Sequence, residues 1–334
     1  MTILAVDAGN TRIKWAMLAK GMLNNAGQTE RPHSVDLFQA FAMQYWMPLA
    51  RPERVVVANV AGVDFGGTLA AWVKQAWDIE AEFAVPQRSA YGIRNAYLDP
   101  QKLGVDRWAG MIAAHPNAQG ARRKKANGAV CVIGCGTAIT FDVLTARGEH
   151  QGGLIVPGLT LMRRALLENT QDILNKMGDA MSGASAEISL LARDTPGGVN
   201  GGTLYAVISV IDRVTADLAA ELGQDMARII TGGDAPALLP LLSGHYRHEP
   251  LLVLQGLAII AQATPHEKLL PGAPKGDERL FPVSPPAEAA GLPCIPPDAH
   301  EPPHPGAAAA SGILDPSLCS PVTLVPPCRS EDTQ

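Results

Sequence analysis

The chain is poor in the features that would settle its class at once. Its five cysteines in 334 residues are irregularly spaced, so they supply neither a disulfide framework nor a zinc site and point to a reducing, cytoplasmic setting. No run approaches the roughly 18 to 20 apolar residues of a membrane span, although 47% of the chain is hydrophobic. Met1 leads straight into a strand-like run with no basic leader and no small-residue cleavage site, so no secretory signal is expected. Positive charge is scarce too, and a net charge of −5 argues against a nucleic-acid surface. The basic cluster Arg122, Arg123, Lys124 and Lys125 has no interleaved aromatic residues on which bases could stack, and it reads as a solvated loop. The P-loop pattern and the dinucleotide-binding fingerprint are both missing. The eight histidines show no ligand spacing and suggest no role.

What is present is organised in three parts. From Pro265 onward, 16 of the 27 prolines fall within 70 residues; that density without a period, and without apolar periodicity, predicts a disordered tail over 265–334. Before it, strand and helix patterns alternate. The run 54–60 reads as a buried strand, 66–77 as a helix with Leu69, Trp72, Val73 and Ala76 on one stripe, and 105–115 as a second helix. Strand–glycine turn–strand follows over 128–144, then a strand over 150–158 and a helix over 159–170. The longest helix is expected over 202–223, closed by a glycine. Strand, paired glycines and helix then cover 227–242, and a last helix follows Pro250.

The segments "AVDAGNTRIKWAML" (5–18) and "VIGCGTAITFDVL" (132–144) are alike, each a strand, a glycine turn and a strand. Two such halves predict a two-lobed α/β fold with a ligand between the lobes, divided as 1–116, 117–264 and the tail. Gly9 lets the backbone approach a phosphate, Asn10 and Thr11 add polar donors, and Lys14 adds positive charge. Asp7 would be repelled by phosphate unless a divalent cation stood between them. That implies Mg²⁺, which binds through one or two carboxylates plus substrate phosphates. The bland alternative for this stretch alone is a surface turn with incidental charges. A third glycine turn, "TGGDA" (231–235), suits close approach of an adenosine.

The ordered segments "DAGNTRIK", "YLDPQKLGVDRW", "GTAITFD", "GGLIVPG" and "TGGD" resemble the type III pantothenate kinases, within the superfamily of acetate and sugar kinases, Hsp70 and actin. The resemblance spans residues 2–262. It implies an actin-like ATPase fold of two duplicated ribonuclease-H-like lobes, and phosphorylation of pantothenate by ATP with Mg²⁺ and potassium or ammonium. It also implies a cytoplasmic homodimer whose substrate pocket lies near the interface. Its ATP hairpin falls on Asp7, Ala8, Gly9, Asn10, Thr11, Arg12, Ile13 and Lys14, with Asp7 holding Mg²⁺ through water, and its second ATP contact on Thr137. The substrate segment falls on Gly104, Val105, Asp106 and Arg107, with Asp106 as general base. Tyr97 and Thr203, a threonine expected to open the long helix, are its other substrate contacts.

The chemistry is independent of that likeness. Pantothenate offers a primary alcohol, and one carboxylate within reach suffices where catalysis is mostly positioning and charge neutralisation. Arg107 could hold a substrate carboxylate bidentately. From the residues alone, Asp106 and Arg107 read equally well as a surface pair at a helix start. Asp142 has two open readings, a contact to the metal or turn and a buried structural acid. Trp15 and Trp108 read as packing. The chain departs from the family where an aspartate is expected to help hold the monovalent cation: that position is Gly134, which places the cation site in question. Two other functions stay in view, a sugar or acetate kinase of the same superfamily and a non-catalytic regulator.

Overall fold

The structure, a computed structural model, describes residues 1–115, 128–169, 191–223 and 226–263. The basic cluster at 122–125 and the Pro-rich stretch from Pro265 lie outside them.

Two five-stranded sheets share one strand order. The first holds β1 (Thr2–Ala8), β2 (Arg12–Ala19), β3 (Met22–Glu30), β4 (Arg54–Asn59) and β5 (Ala81–Phe83), in the order β3-β2-β1-β4-β5. A two-stranded ribbon, β6 (Ser89–Ala90) and β7 (Ile93–Arg94), follows. The second sheet holds β8 (Val130–Cys135), β9 (Ala138–Leu144), β10 (His150–Pro157), β11 (Ala227–Thr231) and β12 (Arg247–His248), in the order β10-β9-β8-β11-β12. In each sheet the opening strand is antiparallel to its hairpin partner and parallel to the next strand on its other side. The helices are α1 (Val35–Tyr45), α2 (Val63–Trp77), α3 (Val105–Ala114), α4 (Leu159–Asn169), α5 (Thr195–Leu222), α6 (Ala235–Leu238) and α7 (Leu252–Gln262).

The alternation of strand side chains builds three cores. Along β1, Leu4, Val6 and Ala8 face the aromatic side chains Phe38, Phe41 and Trp46 of α1 and its end, and Trp77 of α2. Ile3 and Ala5 face the opposite way, into a core shared with α3 and α7. On β8, Val130 and Val132 join that shared core, while Cys131, Ile133 and Cys135 face α5. The helix pair α3 and α7 thus belongs to both sheets. Trp108 is wholly buried there, and a Cβ on Gly256 would run into the Ala109 carbonyl, so glycine permits the close helix approach.

Both hairpins and most of the helices lie where periodicity expects them. The long helix is the exception. It starts at Thr195, because Asp194 accepts the Gly197 N–H at 2.7 Å and Pro196 sits in the first turn. The glycines at 197, 198, 201 and 202 lower helix propensity and hide this start in the sequence. Thr203 therefore does not open the helix; it lies two turns inside it. β3 and α1 have no clear pattern in the sequence, since β3 is mostly exposed along its length.

Candidate active site

The β1–β2 hairpin sets the first group of side chains by register. Asp7 stands opposite Lys14 across the ladder, so the carboxylate and ammonium share one face. The turn is closed by the Gly9 N–H donating to the Arg12 carbonyl at 3.0 Å, and a Cβ on Gly9 would press on that same oxygen. Ile13 and Ala8 are buried anchors. A brace comes from Arg31, which was not legible in the sequence: its Nε donates to the Asn10 carbonyl at 2.9 Å, with the guanidinium over the Phe65 ring.

The second hairpin meets the first. Thr11 Oγ1 and Thr137 Oγ1 lie 2.8 Å apart, although 126 residues separate them in sequence. The third glycine turn joins them, for a Cβ on Gly233 would collide with the Arg12 guanidinium. Beside it, burial raises the Asp234 carboxyl above its ordinary range, and Arg12 and Arg163 partly offset this.

Asp106 lies in the first turn of α3, where the unpaired amides of a helix start favour a carboxylate. Gly104 has ordinary dihedrals; what it supplies is space, since a Cβ there would come within 2.6 Å of Asp106 Oδ1. Burial raises the Asp106 carboxyl above the usual range, against the pull of the Arg107 amide and guanidinium. Asp7 is raised further, to about 7, first by burial and then by the facing charge of Asp106, while Lys14 works the other way. The charge of Asp106 thus acts on Asp7.

Arg107 departs from the expected role. It is buried, and its Nε and Nη2 donate to Asp142 Oδ2 and Oδ1 at 2.8 and 2.7 Å. The bidentate fork is taken by Asp142 and is not open to a substrate carboxylate. The remaining Nη1 donates to the Tyr97 hydroxyl at 2.8 Å. Asp142 is the buried structural acid of its two readings, and His150 completes its bonding with Nε2 at 3.1 Å from Oδ1. Gly153 is held close to this pair, because a Cβ there would meet Arg107 Nη2 at 2.7 Å and the Phe141 carbonyl. Val105 is a buried anchor of the same helix start. Thr203 stands apart: its hydroxyl donates to the Val199 carbonyl at 2.7 Å and accepts from Arg163 Nε at 3.2 Å.

The fit of the expected ions can be judged from these donors. Among the described residues no group of three or more His, Cys, Asp or Glu comes together, so no all-protein metal cage is built. A carboxylate beside a turn suited to phosphate, raised to about 7 chiefly by burial, suits Mg²⁺ held by Asp7 together with nucleotide oxygens. The monovalent-cation position does not fit. Gly134 offers no carboxylate, and a Cβ there would come within 2.7 Å of Thr140 Oγ1, so that hydroxyl fills the space.

Two sheets of one order, each opening with a hairpin whose tip meets the other, build the fold of the actin, Hsp70 and sugar-kinase superfamily. The comparisons narrow this. The model of the type III pantothenate kinase family matches residues 3–217. A type III pantothenate kinase of Nitrosococcus oceani is 44% identical over 262 residues, covering 78% of this chain and 94% of that protein. One from Alcanivorax borkumensis is 34% identical over 259 residues, covering 78% and 98%. Among solved structures, a glucokinase from an Antarctic psychrotroph reaches a TM-score of 0.38 at 15% identity, over 78% of this chain and 98% of that one, a likeness too low to carry an argument. The chain belongs to the type III pantothenate kinase family and is an enzyme of that class. The sugar-kinase and non-catalytic readings give way to it. Among the described residues no helix is long and apolar enough to cross a membrane.

Proposed function

We propose that this chain transfers the γ-phosphoryl group of ATP to the primary alcohol of pantothenate, giving 4'-phosphopantothenate, the first step of coenzyme A synthesis. The observation that carries the reading is the Thr11–Thr137 contact at 2.8 Å, which brings together the two turns suited to the phosphates. The Gly9–Lys14 hairpin and Thr137 hold the phosphate oxygens, and Lys14 offsets their charge. Mg²⁺, bound through Asp7 and the phosphates, would neutralise charge developing on the transferred group. Asp106 accepts the proton of the pantothenate hydroxyl. Its raised affinity for protons favours that task near neutral pH, as a base works best when its pKa approaches the operating pH.

Tyr97, Gly104, Val105 and Arg107 form the substrate side, with Arg107 acting through Nη1 and the Tyr97 hydroxyl instead of a two-point grip. The threonine contact expected at the start of the long helix passes from Thr203 to Thr195, the residue at that start. Because Gly134 and Thr140 leave no carboxylate for a monovalent ion, turnover depends little on potassium or ammonium. The exposed Leu154 and Ile155 of β10, Leu161 of α4 and Tyr205 of α5 support a homodimer.

The test is Asp106→Asn. It should lower kcat by roughly 10²- to 10⁴-fold while leaving the KM for ATP nearly unchanged. A variant as active as the parent removes Asp106 from the role of base.

A further inference from the structure

His150 has no part in the chemistry described so far, yet it is one of the few fully buried polar side chains. It opens β10 and lies under Tyr97, the two rings nearly parallel at 13° with centroids 6.1 Å apart. Its two nitrogens face different partners. Nε2 is 3.1 Å from Asp142 Oδ1, and Nδ1 lies 3.5 Å from the Ala96 N–H. Those partners assign the tautomer. A carboxylate already holding the Arg107 fork can only accept, so Nε2 carries the proton and Nδ1 accepts the Ala96 amide.

Besides the Ala96 amide contact, the backbone around Tyr97 is held by Arg88 and Asn95. Arg88 donates to the Tyr97 and Leu98 carbonyls at 2.6 Å each, and Asn95 Oδ1 accepts the Tyr97 N–H at 3.0 Å. The ring itself is held differently: His150 lies against its face and Arg107 Nη1 donates to its oxygen. With that oxygen accepting from Arg107, the phenolic proton is turned away from Arg107 and is free to donate to a substrate oxygen.

We propose that His150, donating from Nε2 to Asp142, is a positioning residue for the substrate pocket. It orients the Tyr97 hydroxyl through ring contact and through the Asp142–Arg107 pair, so that a carboxylate, carbonyl or hydroxyl oxygen of the substrate accepts from Tyr97. This rests on Tyr97 lying in the pantothenate pocket, as argued above. A purely structural histidine would alter stability alone; a positioning one alters affinity for one substrate and not the other.

The experiment measures kcat and both KM values in the full-length enzyme for His150→Phe, His150→Gln, Tyr97→Phe and the His150→Phe/Tyr97→Phe double variant. Phenylalanine keeps the ring and loses both hydrogen bonds, and it should raise the pantothenate KM about tenfold with the ATP KM within about twofold. Glutamine can still donate to Asp142 and should recover most of that loss. In the double variant the His150 effect should shrink, because the hydroxyl that it orients is gone. If the phenylalanine variant does not fold, His150→Asn, too short to reach Asp142, takes its place. A pantothenate KM unchanged in the folded His150 variant, with Tyr97→Phe raising it, overturns the role of His150 and leaves the pocket standing. An equal rise in both KM values, or full additivity in the double variant, also overturns it. If Tyr97→Phe itself leaves the pantothenate KM unchanged, the pocket assignment fails instead.

Discussion

In the proposed mechanism single carboxylates carry most of the chemistry, and their surroundings make them testable. Asp7 binds its proton more tightly folded than unfolded, since burial raises it to about 7. It therefore costs the fold nothing below the ordinary carboxylate range, and its ionisation works against the fold as pH rises through about 7. Without nucleotide or magnesium, Asp7→Asn should melt a few degrees higher than the parent at about pH 8 and alike at about pH 4. Mg–ATP should stabilise the parent and not the variant. Melting curves at the two pH values decide it, and a variant less stable at the higher pH contradicts the cost of burying that charge. Asp142 has the opposite character. Removing it leaves the buried Arg107 guanidinium without its partner, so Asp142→Ala should lose roughly 3–5 kcal/mol in urea unfolding. Asp7 and Lys14 stood out in the sequence because a phosphate-binding turn asks for those charges next to a glycine, whereas Asp106 was singled out only through the family resemblance. His150 and Arg31 did not stand out, because their value comes from a ring contact and a carbonyl that only the folded chain brings within reach.

At the level of elements, glycines mark where turns must come close, and each does so for its own reason. Gly232 has a φ of 104°, and a Cβ there would run into the Cys135 backbone. Its neighbour Gly233 meets only the movable end of Arg12. Gly232→Ala should cost at least about 2 kcal/mol of stability, whereas Gly233→Ala should cost under about 1 kcal/mol and act instead on the ATP KM. Equal losses in chemical denaturation would contradict this division. Both hairpins were readable from their strand–glycine–strand pattern. The start of α5 was not, because four glycines in its first turns mask a helix that Asp194 and Pro196 nonetheless initiate. Thr195, not Thr203, stands at the start of that helix.

For the whole molecule, the described sheets and helices lie between Thr2 and Gln262, and the alignment to the Nitrosococcus oceani enzyme runs over 262 residues, 94% of that protein. Within that span α7 is indispensable, for Leu252, Leu254 and Leu257 are buried in the core that serves both sheets. A chain ending after Ala263 should keep its melting temperature and turnover, and one ending before Leu252 should not fold. The order of the segments and the alternation of strands and helices were plain in the sequence. The way α3 and α7 pair between the sheets was not, since it depends on contacts between segments more than 130 residues apart. The most direct measurement is ADP release from Mg–ATP with and without pantothenate, in sodium, potassium and ammonium salts. The expected result is release that requires pantothenate and differs by less than about twofold among the salts. Absence of pantothenate-dependent release from folded protein in every salt would contradict the kinase assignment itself.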